Sequence, residues 1–178
     1  MTEIGPAGIV RETILTNLHP AVVHFAIGLF TASVILDIIG FSTKREYFNS
    51  AGWLNLTLAV VASLVSVLTG FLAEDSVIVT KEAHRLMEIH ETLGLVVLGI
   101  AAILMIWRLF NQGPLSNRQI PFYIIIAVAG LLFLLASGHY GGEMVYEYGV
   151  GVKPVMKQTL QDEKSADTLI TPHISNRK

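Results

Sequence analysis

Hydrophobic positions in this chain gather into four long runs separated by short charged interruptions. The first, residues 21 to 41 (AVVHFAIGLFTASVILDIIGF), is broken only by His24 and Asp37 and follows Pro20, a residue tolerated in the first turn of a helix. The second, residues 52 to 73, carries no charge and ends at Glu74 and Asp75. The third begins near Leu86 and ends at Trp107 and Arg108, with a polar entry of Glu88, His90 and Glu91; the fourth covers residues 120 to 140. About 20 apolar residues suffice for a helix to cross a bilayer, and backbone in lipid must be helical to satisfy its own polar groups. The pattern therefore predicts an all-α fold, an integral membrane four-helix up-down bundle. Residues 1–19 read as a short N-terminal interfacial segment, residues 20–153 as the four-span transmembrane domain, and residues 154–178 as a polar C-terminal tail. The start lacks a basic stretch followed by an apolar core, so the first span reads as retained rather than cleaved. After the fourth run, the stretch GGEMVYEYGVGV reads as a break from regular helix and a lid over that end of the bundle.

Composition sharpens this picture. The 178 residues are 52% hydrophobic and 15% charged, with a net charge of -2, and the mean hydropathy is +0.59. Nucleic acid is excluded as a partner by that balance, and the lipid bilayer is implied as one. There are no cysteines, which removes disulfides, Fe–S clusters, thiolate nucleophiles and covalent c-type haem attachment. Lys44, Arg45, Arg108 and Arg118 flank the first and third connections with Glu46 as the one acid. The opposite side has Lys81 and Arg85 among Glu74, Asp75, Glu82, Glu88 and Glu91, with Arg11, Lys153 and Lys157 in the termini, so by basic residues alone the sides nearly tie. The positive-inside rule modestly favours the two short loops on the cytoplasmic side of a bacterial inner membrane, with both termini outside the cytoplasm.

With the spans drawn, the histidines acquire a distribution. His19 and His24 open the first span, His84 and His90 open the third, and His139 closes the fourth, so alternating directions bring all five to one membrane face. His24 lies four residues past Pro20 and His90 four past Leu86, each ~6 Å along its helix from an interfacial residue. Two imidazoles at matched depth are the axial donors of a b-type haem, which also needs an apolar slot and basic groups for its propionates. The sequence therefore nominates His24 and His90 as axial ligands of the haem iron. Phe25, Phe30 and Phe133 are candidates to line a slot, and Arg11, Arg85 or Lys153 to meet the propionates. His19 and His139 are further cofactor-binding candidates: ligands of a second haem, supporting hydrogen bonders or propionate partners. A zinc or copper site would need convergence of residues such as His24, His90, His139 and Glu91 from different helices. His19 and His24 are about 140° apart round a helix, and no same-face chelate occurs. Asp37 reads as an interfacial acid capped by Lys44 or Arg45, and Arg108 as a side chain reaching back to the membrane surface.

The segments LHPAVVHFAIGLF at 18 to 30, the His90-Glu91 pair, and GGEMVYEYGVGV at 141 to 152 resemble the DUF2231 family of small four-span bacterial membrane proteins. The resemblance covers residues 17 to 153. It implies a redox-associated membrane protein, some relatives being fused or adjacent to cytochrome or Rieske-type modules, and it marks His19, His24, His90 and the Gly141-Gly142 turn. Tyr148 stands where many relatives have His before GVGV, so a ligand role at that position does not carry over. Two functions of different class follow. One is a non-catalytic electron-transfer subunit holding one or two haem b groups near the non-cytoplasmic face of a larger respiratory or photosynthetic complex. The other is a cofactor-free accessory or assembly subunit docked on such a complex. A metal-dependent enzyme or transporter ranks behind both, since no carboxylate-histidine chelate falls at helical spacing.

Overall fold

The computed structural model describes residues 6–74, 79–111 and 114–152, with positions 158, 161, 162, 164 and 165 of the tail, and describes side chains from Leu18 onward. Four helices make up the bundle: α1 (Pro6–Thr43), α2 (Glu46–Glu74), α3 (Lys81–Phe110) and α4 (Gln119–Tyr146). Each contains a stretch long and apolar enough to cross a membrane, and there is no strand among the described residues. The helices form a ring in which α1 packs chiefly on α2 and α3 on α4, while α2 meets α3 and α4 meets α1.

The seam positions explain the packing. On α2 the buried residues are Gly52, Leu56, Ala59, Ser63, Ser66 and Thr69; on α4 they are Tyr123, Ala127, Gly130, Leu134, Ser137 and Met144. Their steps of four and three are the mark of helices packed at a small crossing angle. Small residues dominate the α2 seam and large ones such as Leu58, Phe71, Ile103, Phe122 and Leu132 point outward. Lipid tails are as apolar as leucine, so association inside a bilayer rests on close backbone approach and interhelical hydrogen bonds rather than on apolar burial. Ser33 Oγ, donating to the Gly52 carbonyl at 2.9 Å, is one such bond.

Two boundaries differ from the sequence reading. α1 is continuous from Pro6 through Pro20, so residues 6–19 and the first span are one helix and Pro20 sits in its interior rather than in its first turn. α4 likewise runs through Gly141 and Gly142 to Tyr146, and the turn comes only at Gly149 and Gly151, whose φ angles of 65° and 80° favour glycine. Beyond the helix, Tyr148 and Val150 fold back on Leu86, Met87 and Met144, so a short cover over the start of α3 does form, several residues later than the sequence suggested.

Candidate functional site

At the end of the bundle where α1 enters its span, α2 ends and α3 begins, two histidine rings come together edge-on. His19 Nδ1 is 2.9 Å from the Ser66 carbonyl oxygen on α2, with Thr69 Oγ1 at 3.3 Å. His90 Nδ1 is 2.9 Å from the Ser137 carbonyl on α4, with Ser137 Oγ at 3.1 Å. A carbonyl oxygen only accepts, so each Nδ1 carries a proton and donates it, and each neutral ring keeps a lone pair on Nε2. Histidine ligands of metals use this tautomer, fixed in the same way by a carbonyl behind the ring. The two ring centroids are 6.3 Å apart with an interplanar angle of 89°.

Glycines make room for both rings. A Cβ on Gly70 would come within 3.1 Å of His19 Cε1, and a Cβ on Gly141 within 3.1 Å of His90 Cε1 and Nδ1. Each glycine lies one helical turn beyond the serine whose carbonyl holds the ring, so ring, carbonyl and gap are set by one helix face.

The other nominated residues lie elsewhere. His24 is exposed on the outside of the bundle, its Nδ1 turned to the Pro20 carbonyl of its own helix. The 140° between positions 19 and 24 accounts for this: with His19 turned inward, His24 must point out. The ring opposite His90 is thus His19 and not His24. His139 is exposed with Glu143 at 3.9 Å, and His84 is exposed with Glu88 at 3.6 Å. Arg85 is exposed near this end, and the Arg11 and Lys153 side chains lie outside the described residues. Phe30 is buried in the core, whereas Phe25 and Phe133 point outward and line nothing. Among the described residues no three His or carboxylate side chains converge as an ion site, so His24, His90, His139 and Glu91 do not form a chelate.

A second polar cluster occupies the opposite end. Asp37, 1% exposed, accepts from Arg108 Nη1 at 2.7 Å and from Tyr123 Oη at 2.8 Å. Arg108 also donates to the Asn49 carbonyl at 2.9 Å and lies over the Trp53 ring, 5.3 Å from its centroid. Asp37 is therefore not capped by Lys44 or Arg45, and Arg108 turns inward rather than toward the surface. The sequence separation of 71 residues hid the pair.

The histidine face also carried a signal that reading span by span passes over: His19 and Ser66 are 47 residues apart, and so are His90 and Ser137. No curated protein and no solved structure matches the chain. The family model described as "Predicted membrane protein (DUF2231)" matches residues 15–154, which take in all four candidate spans and both polar clusters, and the chain belongs to that family.

Proposed function

We propose that this protein is a membrane-embedded electron-transfer subunit that holds a b-type haem between His19 and His90. The observation that carries the reading is the pair of carbonyl-anchored imidazoles 6.3 Å apart. The two rings, one from each half of the bundle, would hold the group, as neutral imidazoles with their Nδ1 protons committed to carbonyls. Held there by His19 and His90, such a group would supply a one-electron couple. The residues of the chain hold the Nε2 lone pairs in place: the Ser66 and Ser137 carbonyls fix the tautomer, and Gly70 and Gly141 leave space for the rings. Arg85 lies near the same end as a partner for a propionate. In this reading the histidine end faces away from the cytoplasm of a bacterial inner membrane, and the electron partner is a larger membrane redox complex or cytochrome.

The test is a dithionite-reduced minus oxidised spectrum of the detergent-purified chain, with a pyridine haemochrome assay and iron analysis on the same sample. A b-type alpha band with stoichiometric iron is expected. His19→Ala and His90→Ala each remove it, while His24→Ala and His139→Ala leave it intact. A colourless, iron-free protein from haem-sufficient cells overturns the reading and favours the cofactor-free accessory subunit. A band lost in His24→Ala and kept in His19→Ala restores the pairing inferred from span depth.

A further inference from the structure

The 71-residue step between Asp37 and Arg108 recurs throughout the bundle. It relates His19 to His90, Gly28 to Gly99, Ser66 to Ser137 and Gly70 to Gly141. The first five buried positions of α2 map by the same step onto the first five of α4. On the other pair of helices it maps buried Ala26, Phe30 and Ser33 onto buried Val97, Ala101 and Leu104. The ring order of packing agrees: a half-turn about an axis along the bundle exchanges α1 with α3 and α2 with α4 and preserves which helix neighbours which, α1 lying more closely along α2 than α3 along α4. His19 with His90 and Asp37 with Arg108 both cross that axis, each joining equivalent positions of the two hairpins.

We infer that the chain is two equivalent hairpins joined covalently, each bearing one imidazole half-site, and that Asp37 and Arg108 make the first hairpin select the second over a copy of itself. Residues on the axis meet their own counterparts. Where the two hairpins carry the same residue, the result is a matched pair of donors, as at His19 and His90. Where they differ, the difference decides the partner. Two copies of the first hairpin would bring Asp37 against Asp37 with no cation, and two copies of the second would bring Arg108 against Arg108. Only the mixed pair is neutral, and inside a bilayer an unpaired charge is strongly disfavoured.

Shape carries the same instruction independently. The Phe30 ring rests on Gly130, where an added Cβ would come within 2.9 Å of its Cζ. The counterpart of Phe30 is Ala101, and the counterpart of Gly130 is Ala59. First hairpins paired with each other would press Phe30 onto Ala59, and second hairpins paired with each other would leave a void beside Gly130. Phe30 and the glycine that admits its ring are on opposite halves.

The experiment uses the full chain with a protease site inserted within 75–78, an affinity tag at the N-terminus and an epitope at the C-terminus. After folding and detergent purification the chain is cut, and the second hairpin retained by the tagged first is measured. Near-stoichiometric retention is expected. Asp37→Arg or Arg108→Asp alone lowers it at least tenfold, and the exchange of both recovers at least fivefold over either single variant. Should the single variants fail to accumulate, the amount of exchange variant in membranes is the second readout: recovery supports the inference. An exchange no better than the singles, or single variants retained as well as the parent, overturns it. None of these readouts needs a bound haem, so the inference stands or falls apart from the electron-transfer reading.

Discussion

Asp37 shows how much one buried carboxylate determines around itself. It is held by Arg108 and Tyr123 and leaves so little space that a Cβ on Gly52 would lie 2.3 Å from Oδ1 and 2.9 Å from Cγ. A flexible side-chain end would give way cheaply, but this carboxylate is fixed by two bonds, so relief must come from α1 and α2 moving apart or from losing a charge-assisted hydrogen bond. Gly52→Ala is expected to destabilise the detergent-solubilised protein by about 1–3 kcal/mol, as overpacking of a filled core does. Gly28 is the control, since a Cβ there meets nothing within 4 Å. Gly28→Ala should be neutral or stabilising by up to about 1 kcal/mol, from helix propensity alone. Thermal or denaturant midpoints of the two variants check this, and equal effects would mean that Asp37 is free to move. At this scale the sequence was informative about residue type and misleading about partners. An ionisable residue inside a span announces a need for a partner, but Arg108 lies 71 residues away and reaches it only through the bundle.

Helices were the most legible elements, because long apolar runs leave the backbone no other choice in lipid. Their ends were less so, because hydropathy locates the membrane and not the helix. α1 and α4 extend past their apolar runs, through Pro20 at one and through Gly141 and Gly142 at the other. The matched-depth argument for His24 and His90 measured from those apolar borders, which say nothing about rotation. Facing is set instead by the four-and-three seam, and that seam turns His19 inward. Pro20 gives a direct check. Inside a helix it removes the bond to the carbonyl one turn earlier and crowds it, at roughly 3 kcal/mol in general, less where neighbouring groups compensate. Pro20→Ala is therefore expected to raise stability by about 1–3 kcal/mol, read as a higher thermal midpoint in detergent. A lower midpoint would put Pro20 in the first turn of the span, where it favours the helix.

For the molecule as a whole, the Asp37–Arg108 pair changes how the charge pattern sets orientation. Counted from sequence, Arg108 is one of four basic residues that hold the short connections on the cytoplasmic side. In the folded bundle its guanidinium is directed inward and neutralised by Asp37, with a side chain only 14% exposed. The basic residues left exposed at this end are Lys44, Arg45 and Arg118. Acidic residues contribute little to topology, so Lys81 and Arg85 at the histidine end, with Arg11, Lys153 and Lys157 in the segments flanking the first and last spans, oppose them despite the surrounding glutamates. By number no bias toward the short connections remains, and the orientation rests on the first connection, whose two adjacent basic residues are made first during synthesis. Neutralising Lys44 and Arg45 together to Gln should yield a mixed or inverted population, whereas Arg118→Gln alone should leave most molecules as they were. Fusions at residue 178 read this directly: alkaline phosphatase is active there and green fluorescent protein dark when the C-terminus lies outside the cytoplasm. The parent chain is expected to give that pattern and the Lys44/Arg45 double variant to lose phosphatase activity and gain fluorescence. The reverse pattern in the parent would put the histidine pair on the cytoplasmic side and direct the search for its electron partner there.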